Sequence, residues 1–409
     1  MFRQFVFAAA VSLSVVSFAE LAIVAPAEGE IVSQLRPVQA AFVKMSKSER
    51  DIYFDGAKNA TALRADKSTP KPVLLKWTGD AASYTVTLKR LPDGKTFYSA
   101  SVPSNSVEVD SLEIARSWEL AVSDGKTIAK RTFRTEDQAP RLIRIEGVSN
   151  ARDIGGRLGL DGRRLKQGLV FRTSGLNNNA PQDFYSNDEI MKFFKEGKLK
   201  KMGHAGRALN KKLKEGGKLH KTPKHNGLVK RENFAPGTKR LTEEERLRVL
   251  KDYGFKSDID LRTDRECYGM TGSPLGPEAA WFHYSYAGYS ILSPSGTNCN
   301  QKVFRVFLDP RNYPIVFHCI GGADRTGTVG VLLEALLGVD ENNLWLDYLT
   351  TGFVGVVSDQ RHKELISRVF NDLAKQPGST WAERAAAYYR GLGFTQKEID
   401  DFRAFMLEP

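Results

Sequence analysis

The period of the apolar pattern changes between residues 137 and 140, and this change limits the folds that the chain can adopt. From about Val73 to Phe133, apolar and polar residues alternate in short runs separated by turn signals such as Pro92-Asp93-Gly94, which predicts about six or seven short β-strands. After Pro140, short apolar strands alternate with amphipathic helices, one of which begins at a capping box at Thr242. We therefore predict a small all-β sandwich followed by an α/β domain whose central sheet is flanked by helices.

The N-terminus has the pattern of an export signal. Arg3 precedes an apolar run from Phe5 to Phe18, and Ser17-Phe18-Ala19 resembles a cleavage site between small residues. The run is shorter than the ~20 residues of a transmembrane helix, and no later stretch approaches that length without charges. We expect residues 1–19 to be a signal peptide of a periplasmic or secreted protein with no transmembrane segment, a retained anchor being the alternative.

The positive charge of the chain is concentrated in one segment. The net charge is +12, and between Met191 and Arg240 there are 16 Lys and Arg residues but only three acidic residues. The remainder is nearly neutral, which argues against specific nucleic-acid binding through a basic body. We expect the sandwich to span residues 20–138 and the α/β domain to span residues 139–409, with a basic insert at about 177–240. The insert is a solvated excursion, a lid that recruits anionic substrates, or a contact surface for an anionic lipid, glycan or nucleic acid.

The most informative segment is the ten-residue stretch from His318 to Gly327, which we call the Cys319 loop. The apolar strand Pro314-Ile315-Val316-Phe317 leads into His318-Cys319-Ile320-Gly321-Gly322-Ala323-Asp324-Arg325-Thr326-Gly327, where a glycine-containing turn opens a helix. Inward-pointing N–H groups in such a turn, together with the helix N-terminus, form an anion site, and they favour the thiolate of a cysteine placed there. Arg325 can bind two oxygens of a phosphoryl group in a forked geometry.

This stretch resembles the C-x5-R-[ST] signature of the cysteine-dependent tyrosine phosphatases. From Asn150 to about Leu407 the chain is similar to the bacterial tyrosine phosphatase family with the H-C-x-x-G-x-D-R-T-G loop. Three further motifs of that family follow in order: Asn150-Ala151-Arg152-Asp153-Ile154-Gly155-Gly156, Val170-Phe171-Arg172-Thr173-Ser174-Gly175-Leu176 and Asp260-Leu261-Arg262-Thr263-Asp264-Arg265-Glu266. The β-rich segment before them resembles a fibronectin type III or immunoglobulin-like module.

The resemblance implies phosphomonoester hydrolysis in two steps, in which Cys319 forms a cysteinyl-phosphate that water then hydrolyses, with no metal or other cofactor. The substrates expected are phosphorylated proteins or small molecules, phosphotyrosine first. Many relatives have lysine where Ala323 stands, a residue associated with phosphoinositides, so this substitution argues against the alternative of a phosphoinositide or inositol-phosphate phosphatase. A non-catalytic phosphate-binding or adhesion protein is the alternative of a different class.

The resemblance also assigns roles to individual residues. The catalytic residues are Cys319, Arg325 and Asp324, the phosphate contacts are Ile320, Gly321, Gly322, Ala323 and Thr326, and the supporting residues are His318, Arg152, Asp153, Arg172, Asp260, Arg262 and Glu266. In many relatives, an Asp on a separate loop after the Asp-Leu-Arg strand donates the proton to the leaving oxygen. No Asp lies between Arg265 and Leu308 in this chain, so Asp324 is the leading proton donor, and Asp260 and Asp264 are the alternatives.

Four pairings are also expected. Arg152 and Asp153 either line the site or pair with each other beneath it. Arg262 and Glu266 are expected to form a salt-bridged turn. Thr326 is expected to donate a hydrogen bond to the Cys319 sulfur, and Cys267 could form a disulfide with Cys299, which would leave Cys319 as the odd thiol.

Overall fold

The computed structural model describes residues 20–46, 48–50, 68–178, 183–230, 240–354 and 360–409. The segment predicted to be an export signal, residues 1–19, lies outside the described residues. The chain divides into two compact units, one containing residues up to Gln34 together with Lys71–Gln138, the other containing Leu35–Pro70 and Ala139–Pro409. The stretch Leu35–Pro70 therefore belongs to the second unit, whereas the sequence placed it in the β-sandwich.

The described strands of the first unit form a three-stranded and a five-stranded sheet around one apolar core, the arrangement expected of a sandwich. Trp77 from one sheet and Trp118 from the other are both buried in that core. The strand orders are β1-β3-β6 and β2-β8-β7-β4-β5, and β2 is parallel to β8 whereas the other pairs are antiparallel. The strands are β1 Ala22–Ala25, β2 Ile31–Val32, β3 Val73–Thr78, β4 Tyr84–Leu91, β5 Thr96–Val102, β6 Ser106–Val109, β7 Ser117–Ser123 and β8 Ile128–Thr135.

The second unit is built on a mixed sheet whose described strands lie in the order β15-β14-β16-β11-β10-β9. The first four are parallel to one another, and β10 pairs antiparallel with both β11 and β9. The central strands are buried on both faces, as helix-covered parallel strands are. The strands of the unit are β9 Arg141–Leu142, β10 Arg152–Asp153, β11 Val170–Thr173, β12 Asp183–Phe184, β13 Val229–Lys230, β14 Ser257–Asp260, β15 Ala280–His283 and β16 Ile315–His318.

Helices cover both faces of this sheet, so the mixed α/β architecture expected from the sequence is present. Successive residues of β16 alternate between two apolar clusters: Ile315 and Phe317 join one, and Val316 joins the other. The α-helices are α1 Pro37–Lys44, α2 Asn187–Lys195, α3 Gly203–Lys214, α4 Glu243–Tyr253, α5 Pro294–Phe307, α6 Asp324–Leu336, α7 Glu341–Thr350, α8 Gln360–Ala374, α9 Trp381–Gly391 and α10 Gln396–Met406. Short 3-10 turns occupy Leu160–Gly162, Lys198–Lys201, Pro223–Asn226, Pro310–Asn312 and Thr351–Val354.

The described part of the basic insert is folded. Strands β12 and β13 pair antiparallel, and α2 and α3 lie between them in the chain. Ile190, Leu199, Leu209 and Leu228 form an apolar cluster of their own, separate from the clusters on the two faces of the mixed sheet. Within the described residues, no helix has the length and apolar character needed to cross a membrane.

Candidate active site

The Cys319 loop connects strand β16 to helix α6 at the carboxyl edge of the parallel strands. Cys319 follows the strand directly and is 1% exposed, and α6 begins at Asp324. Gly322 has a φ of +67°, and a Cβ atom there would lie 2.4 Å from the carbonyl oxygen of Thr173. A residue with a side chain would therefore displace the loop from β11, so the turn needs glycine at this position.

Neighbouring residues hold the carbonyl oxygens of the loop. The Ile320 oxygen accepts from the Gly175 N–H at 3.0 Å, and the Gly321 oxygen accepts from Asn150 Nδ2 at 3.0 Å. The Gly322 oxygen accepts from an Arg172 Nη atom at 2.8 Å. Because the C=O and N–H of a trans peptide point in opposite directions, these bonds turn the following N–H groups away from the protein and toward a common anion site.

A buried cluster of charges holds Arg172 in place. The Asp347 carboxylate on α7 accepts from Arg152 Nε at 2.8 Å, from Arg157 at 3.0 Å and from Arg172. All four side chains are at most 1% exposed. Burial by itself would raise the pKa of Asp347, but the surrounding guanidinium groups hold it well below its usual range. Glu334 on α6 adjoins the cluster, and burial together with the Asp347 charge raises its pKa to about 8.

The pairing of Arg152 with Asp153, one of the two alternatives given for these residues, is wrong. Asp153 accepts from Arg141 at 2.9 Å and from the Gly155 N–H at 2.8 Å, whereas Arg152 binds Asp347. The two side chains leave opposite faces of β10, because successive residues of a strand point in opposite directions. Arg152 and Arg172 thus support the loop from below, whereas Asp153 binds Arg141 on β9, the edge strand of the sheet.

The side chain of His318, the first residue of the Cys319 loop, lies between the carboxylates of Asp258 and Asp260. Its Nε2 is 3.0 Å from Asp258 Oδ1, and its Nδ1 is 3.2 Å from the carbonyl oxygen of Cys319. Burial would lower the pKa of His318, but the charges of Asp260 and Asp258 raise it above its usual value. A protonated His318 fits this position, where it would fix the backbone at the cysteine.

The expected salt bridge between Arg262 and Glu266 is also wrong. Arg262 binds Asp260 at 2.5 Å, and both side chains are fully buried. Burial by itself would raise the pKa of Asp260, but the positive charges of His318 and Arg262 hold it well below its usual range. Glu266 instead accepts from Arg325 Nη1 at 2.6 Å and from the Thr263 N–H at 2.6 Å.

Arg325 and Asp324 open onto a cavity of about 420 Å³ that is also lined by Glu266, Thr263, Tyr286 and Tyr289. Burial would lower the pKa of Arg325, but the hydrogen bond to Glu266 and the charge of Cys319 raise it, so this side chain is a cation. Asp324 Oδ1 accepts a hydrogen bond from the hydroxyl group of Tyr289. The structure thus brings the predicted arginine and aspartate to one cavity, and Cys319 is buried close enough to Arg325 for their charges to interact.

Two other expected contacts of the cysteines and of Thr326 are absent. Thr326 is fully buried, and its hydroxyl has no hydrogen-bond partner among the described residues, so the expected bond to the Cys319 sulfur is not made. Cys267 and Cys299 are both free buried thiols, which contradicts the disulfide. The Cys267 sulfur donates to Asp260 Oδ2 at 3.3 Å instead.

The sequence missed three residues of this region. Asn150 stands inside a quoted motif but was given no role, although its side chain holds a loop carbonyl. Asp347 and Tyr289 lie in no motif, and no local signal marks them, because their partners are distant in the chain. Among the described residues, no three His, Cys, Asp or Glu side chains come together as metal ligands.

The chain matches one known protein family over more than half of its length. Residues 143–188 and 235–408, more than half of the chain, match the tyrosine phosphatase family. The match contains every residue of the cavity and of the buried charge cluster named above, and its interruption falls within the basic insert. No curated protein matches the chain. On the extent of this match, the chain belongs to the tyrosine phosphatase family.

Proposed function

We propose that the chain hydrolyses phosphomonoesters through a cysteinyl-phosphate at Cys319, with protein phosphotyrosine as its principal substrate class and dual specificity within its range. One observation carries this proposal. Cys319 stands in a loop whose carbonyl oxygens accept hydrogen bonds from neighbouring residues, and Arg325 of the same loop lies at the cavity. Such a loop binds a phosphoryl group and stabilises the charge that develops on its oxygens during transfer.

In the first step, the Cys319 thiolate attacks phosphorus and the bond from phosphorus to the ester oxygen breaks. The leaving oxygen takes a proton from Asp324, which lines the cavity at the N-terminus of α6. In the second step, water attacks the cysteinyl-phosphate, Asp324 accepts a proton from it, and the thiolate and inorganic phosphate are released. Arg325 binds two phosphoryl oxygens, while Glu266 holds its guanidinium in the required orientation.

The charge of the cavity wall favours a monoester over a polyphosphate. Arg325 is the cation among the described residues that line the cavity, and Glu266 and Asp324 are acidic. Ala323, where many relatives have lysine, is fully buried and adds no charge. The rings of Tyr286 and Tyr289 offer apolar surface to an aromatic ester. Additional phosphate groups of an inositol phosphate would meet acidic rather than basic side chains.

Three further assignments belong to the proposal. The first unit is a fibronectin type III or immunoglobulin-like spacer or adhesion module. The protein is exported to the periplasm or secreted by means of residues 1–19. The basic insert attracts anionic substrates or an anionic surface, because eleven of its Lys and Arg side chains within the described residues 183–230 are exposed.

The test is the variant Cys319→Ser. We expect it to lose all measurable hydrolysis of a phosphotyrosyl peptide while still binding tungstate, because a serine hydroxyl in this loop stays protonated and cannot attack. Cys299→Ser, a change at a buried thiol on α5, is the matched control and should keep its activity. Residual activity in Cys319→Ser would contradict the covalent step. A wild-type protein that binds tungstate but hydrolyses neither the peptide nor an inositol phosphate would be the non-catalytic alternative.

A further inference from the structure

The hydroxyl group of Tyr289 links the cavity to the interior of the α/β unit. It donates a hydrogen bond to Asp324 Oδ1, and it lies 2.8 Å from the hydroxyl oxygen of Tyr348. A hydroxyl group carries one proton, so a Tyr289 that donates to Asp324 accepts from Tyr348. Tyr348 on α7 therefore donates to Tyr289, and Tyr289 donates to Asp324 on α6.

The backbone at Tyr289 is held in an unusual conformation. Its φ is +55°, a region that bulky residues rarely adopt and that carries a cost of about 1–3 kcal/mol. The Tyr289 N–H donates to Thr328 Oγ1 at 3.0 Å, and that hydroxyl group donates to the carbonyl oxygen of Asp324 at 2.9 Å. These two bonds attach the segment between β15 and α5 to the first turn of α6, which carries Asp324.

The residue before Tyr289 allows the same approach. Gly288 has a φ of +74°, and a Cβ atom there would lie 3.3 Å from Cγ of Arg325. The segment therefore contacts both Asp324 and Arg325, and a side chain at position 288 would crowd Arg325. A strained and doubly anchored backbone beside two cavity residues indicates a positioning role rather than a packing role.

We propose that Tyr289 is a positioning residue for Asp324 that selects which carboxyl oxygen delivers the proton. This inference rests on the proposed function, in which Asp324 is the general acid. Because Oδ1 accepts from Tyr289, the proton that passes to the leaving oxygen is held on Oδ2. When it leaves, Asp324 becomes a carboxylate, and the hydrogen bond from Tyr289 becomes a stronger, charge-assisted one. The hydroxyl group therefore stabilises the transition state more than the ground state.

The groups that face Asp324 determine what else acts on its proton. Arg325 follows it in the chain, Glu266 lies across the same cavity, and Tyr348 lies behind Tyr289. Arg325 and Glu266 are paired with each other. Tyr289 is a neutral donor to Asp324, so the loss of its hydroxyl group changes no charge around the carboxyl group.

The experiment compares two esters that differ in their need for a proton. In Tyr289→Phe, we expect kcat for phenyl phosphate to fall about tenfold, whereas kcat for 4-nitrophenyl phosphate falls less than about threefold, because an acidic leaving group needs little protonation. KM for both esters should stay within about twofold. In an Asp324→Asn background, Tyr289→Phe should have no further effect on phenyl phosphate, because the two residues act as one unit.

Two additional variants control for the fold. Tyr284→Phe removes a hydroxyl group at the beginning of the same segment, outside the cavity lining, and should leave both rates unchanged. Tyr348→Phe should repeat the pattern of Tyr289→Phe with a smaller loss, so the inference remains testable if Tyr289→Phe folds poorly.

The possible failures can be told apart. Equal losses for both esters in Tyr289→Phe and in Tyr348→Phe, or additive losses in the Asp324→Asn background, overturn the positioning role while leaving the proposed function intact. Equal losses for both esters in Asp324→Asn itself reject Asp324 as the acid, and the inference with it. An active Cys319→Ser variant rejects the proposed function at its first step.

Discussion

Asp347 illustrates how far the chemistry of a single residue can act from the substrate. Among the described residues, the carboxylate accepts hydrogen bonds from three arginines and none from the loop, yet it fixes Arg172, whose guanidinium holds the carbonyl oxygen of Gly322. It also fixes Arg152, which binds the side-chain oxygen of Asn150, while the amide nitrogen of Asn150 holds the carbonyl oxygen of Gly321. Two loop peptides thus depend on one buried negative charge.

We predict that Asp347→Asn destabilises the α/β unit by about 3–5 kcal/mol, because it leaves buried guanidinium groups without their partner. Urea unfolding monitored through phosphatase activity measures this loss. Asp340→Asn makes the same chemical change at the N-cap of the same helix, where asparagine caps as well as aspartate, so less than about 0.5 kcal/mol is expected. Similar small losses in both variants would show that the cluster is not tightly coupled.

Residue identities in the site were predictable, but their partners were not. The Cys319 loop is local: the strand, the glycines and the helix start are consecutive, so Cys319, Asp324 and Arg325 could be placed together from the sequence. Arg262 and Glu266 were expected to bind each other across a turn, but Arg262 binds Asp260 instead. The structure has a turn there, and Glu266 reaches Arg325, a residue 59 positions away. Pairings of that kind depend on how the strands associate.

Helix starts show the same difference between local hydrogen bonds, which the sequence predicts, and bonds to distant partners, which it does not. At Thr395 both bonds of the capping box form with Glu398. At Thr242 the hydroxyl group accepts from the Glu245 N–H, but the Glu245 carboxylate accepts from the Glu146 N–H at 2.7 Å instead of returning to the cap. A partner from another part of the chain displaced the local bond, and the sequence pattern carries no sign of it.

The basic insert is the element whose role the sequence left open. Its described residues have their own apolar cluster, and the family match is interrupted from 189 to 234. On α3, Gly206, Leu209 and Asn210 are buried. The opposite side of the helix is exposed and carries Arg207, Lys211, Lys212 and Lys214. A folded segment with cations on its outer side favours the hypothesis that the insert recruits anionic substrates.

We predict that changing Arg207, Lys211, Lys212 and Lys214 to Gln raises KM for an acidic phosphotyrosyl peptide about three- to tenfold at low ionic strength. The difference should shrink above about 0.3 M salt, where screening removes the attraction, and kcat for phenyl phosphate should not change. Lys375 and Lys397, two exposed lysines outside the insert, provide the matched control for loss of positive charge. A KM that is unchanged at every salt concentration would support the solvated excursion.

At the scale of the whole molecule, the chain passes between its two units more often than the sequence suggested. Residues up to Gln34 belong to the β unit, Leu35–Pro70 to the α/β unit, and Lys71–Gln138 again to the β unit. The change of apolar period near residue 140 located the last crossing only. The first two crossings flank α1, a helix of eight residues, and a short helix gives no indication of which core will receive its apolar side.

We predict that Phe42→Ala, a change in α1, destabilises the α/β unit and not the β unit. Phe42 is fully buried in the main cluster of the α/β unit, where its ring packs edge-on against Phe353 with centroids 5.3 Å apart. Truncating a buried phenylalanine costs about 3–5 kcal/mol, so amide hydrogens of α6 should exchange faster by roughly two orders of magnitude or more if they exchange through global opening of that unit. The amides of β7 should keep their rates. Lys44→Ala, at an exposed position of the same helix, should leave both sets unchanged. Faster exchange in β7 with no change in α6 would instead support the assignment of residues 20–138 to one continuous β domain.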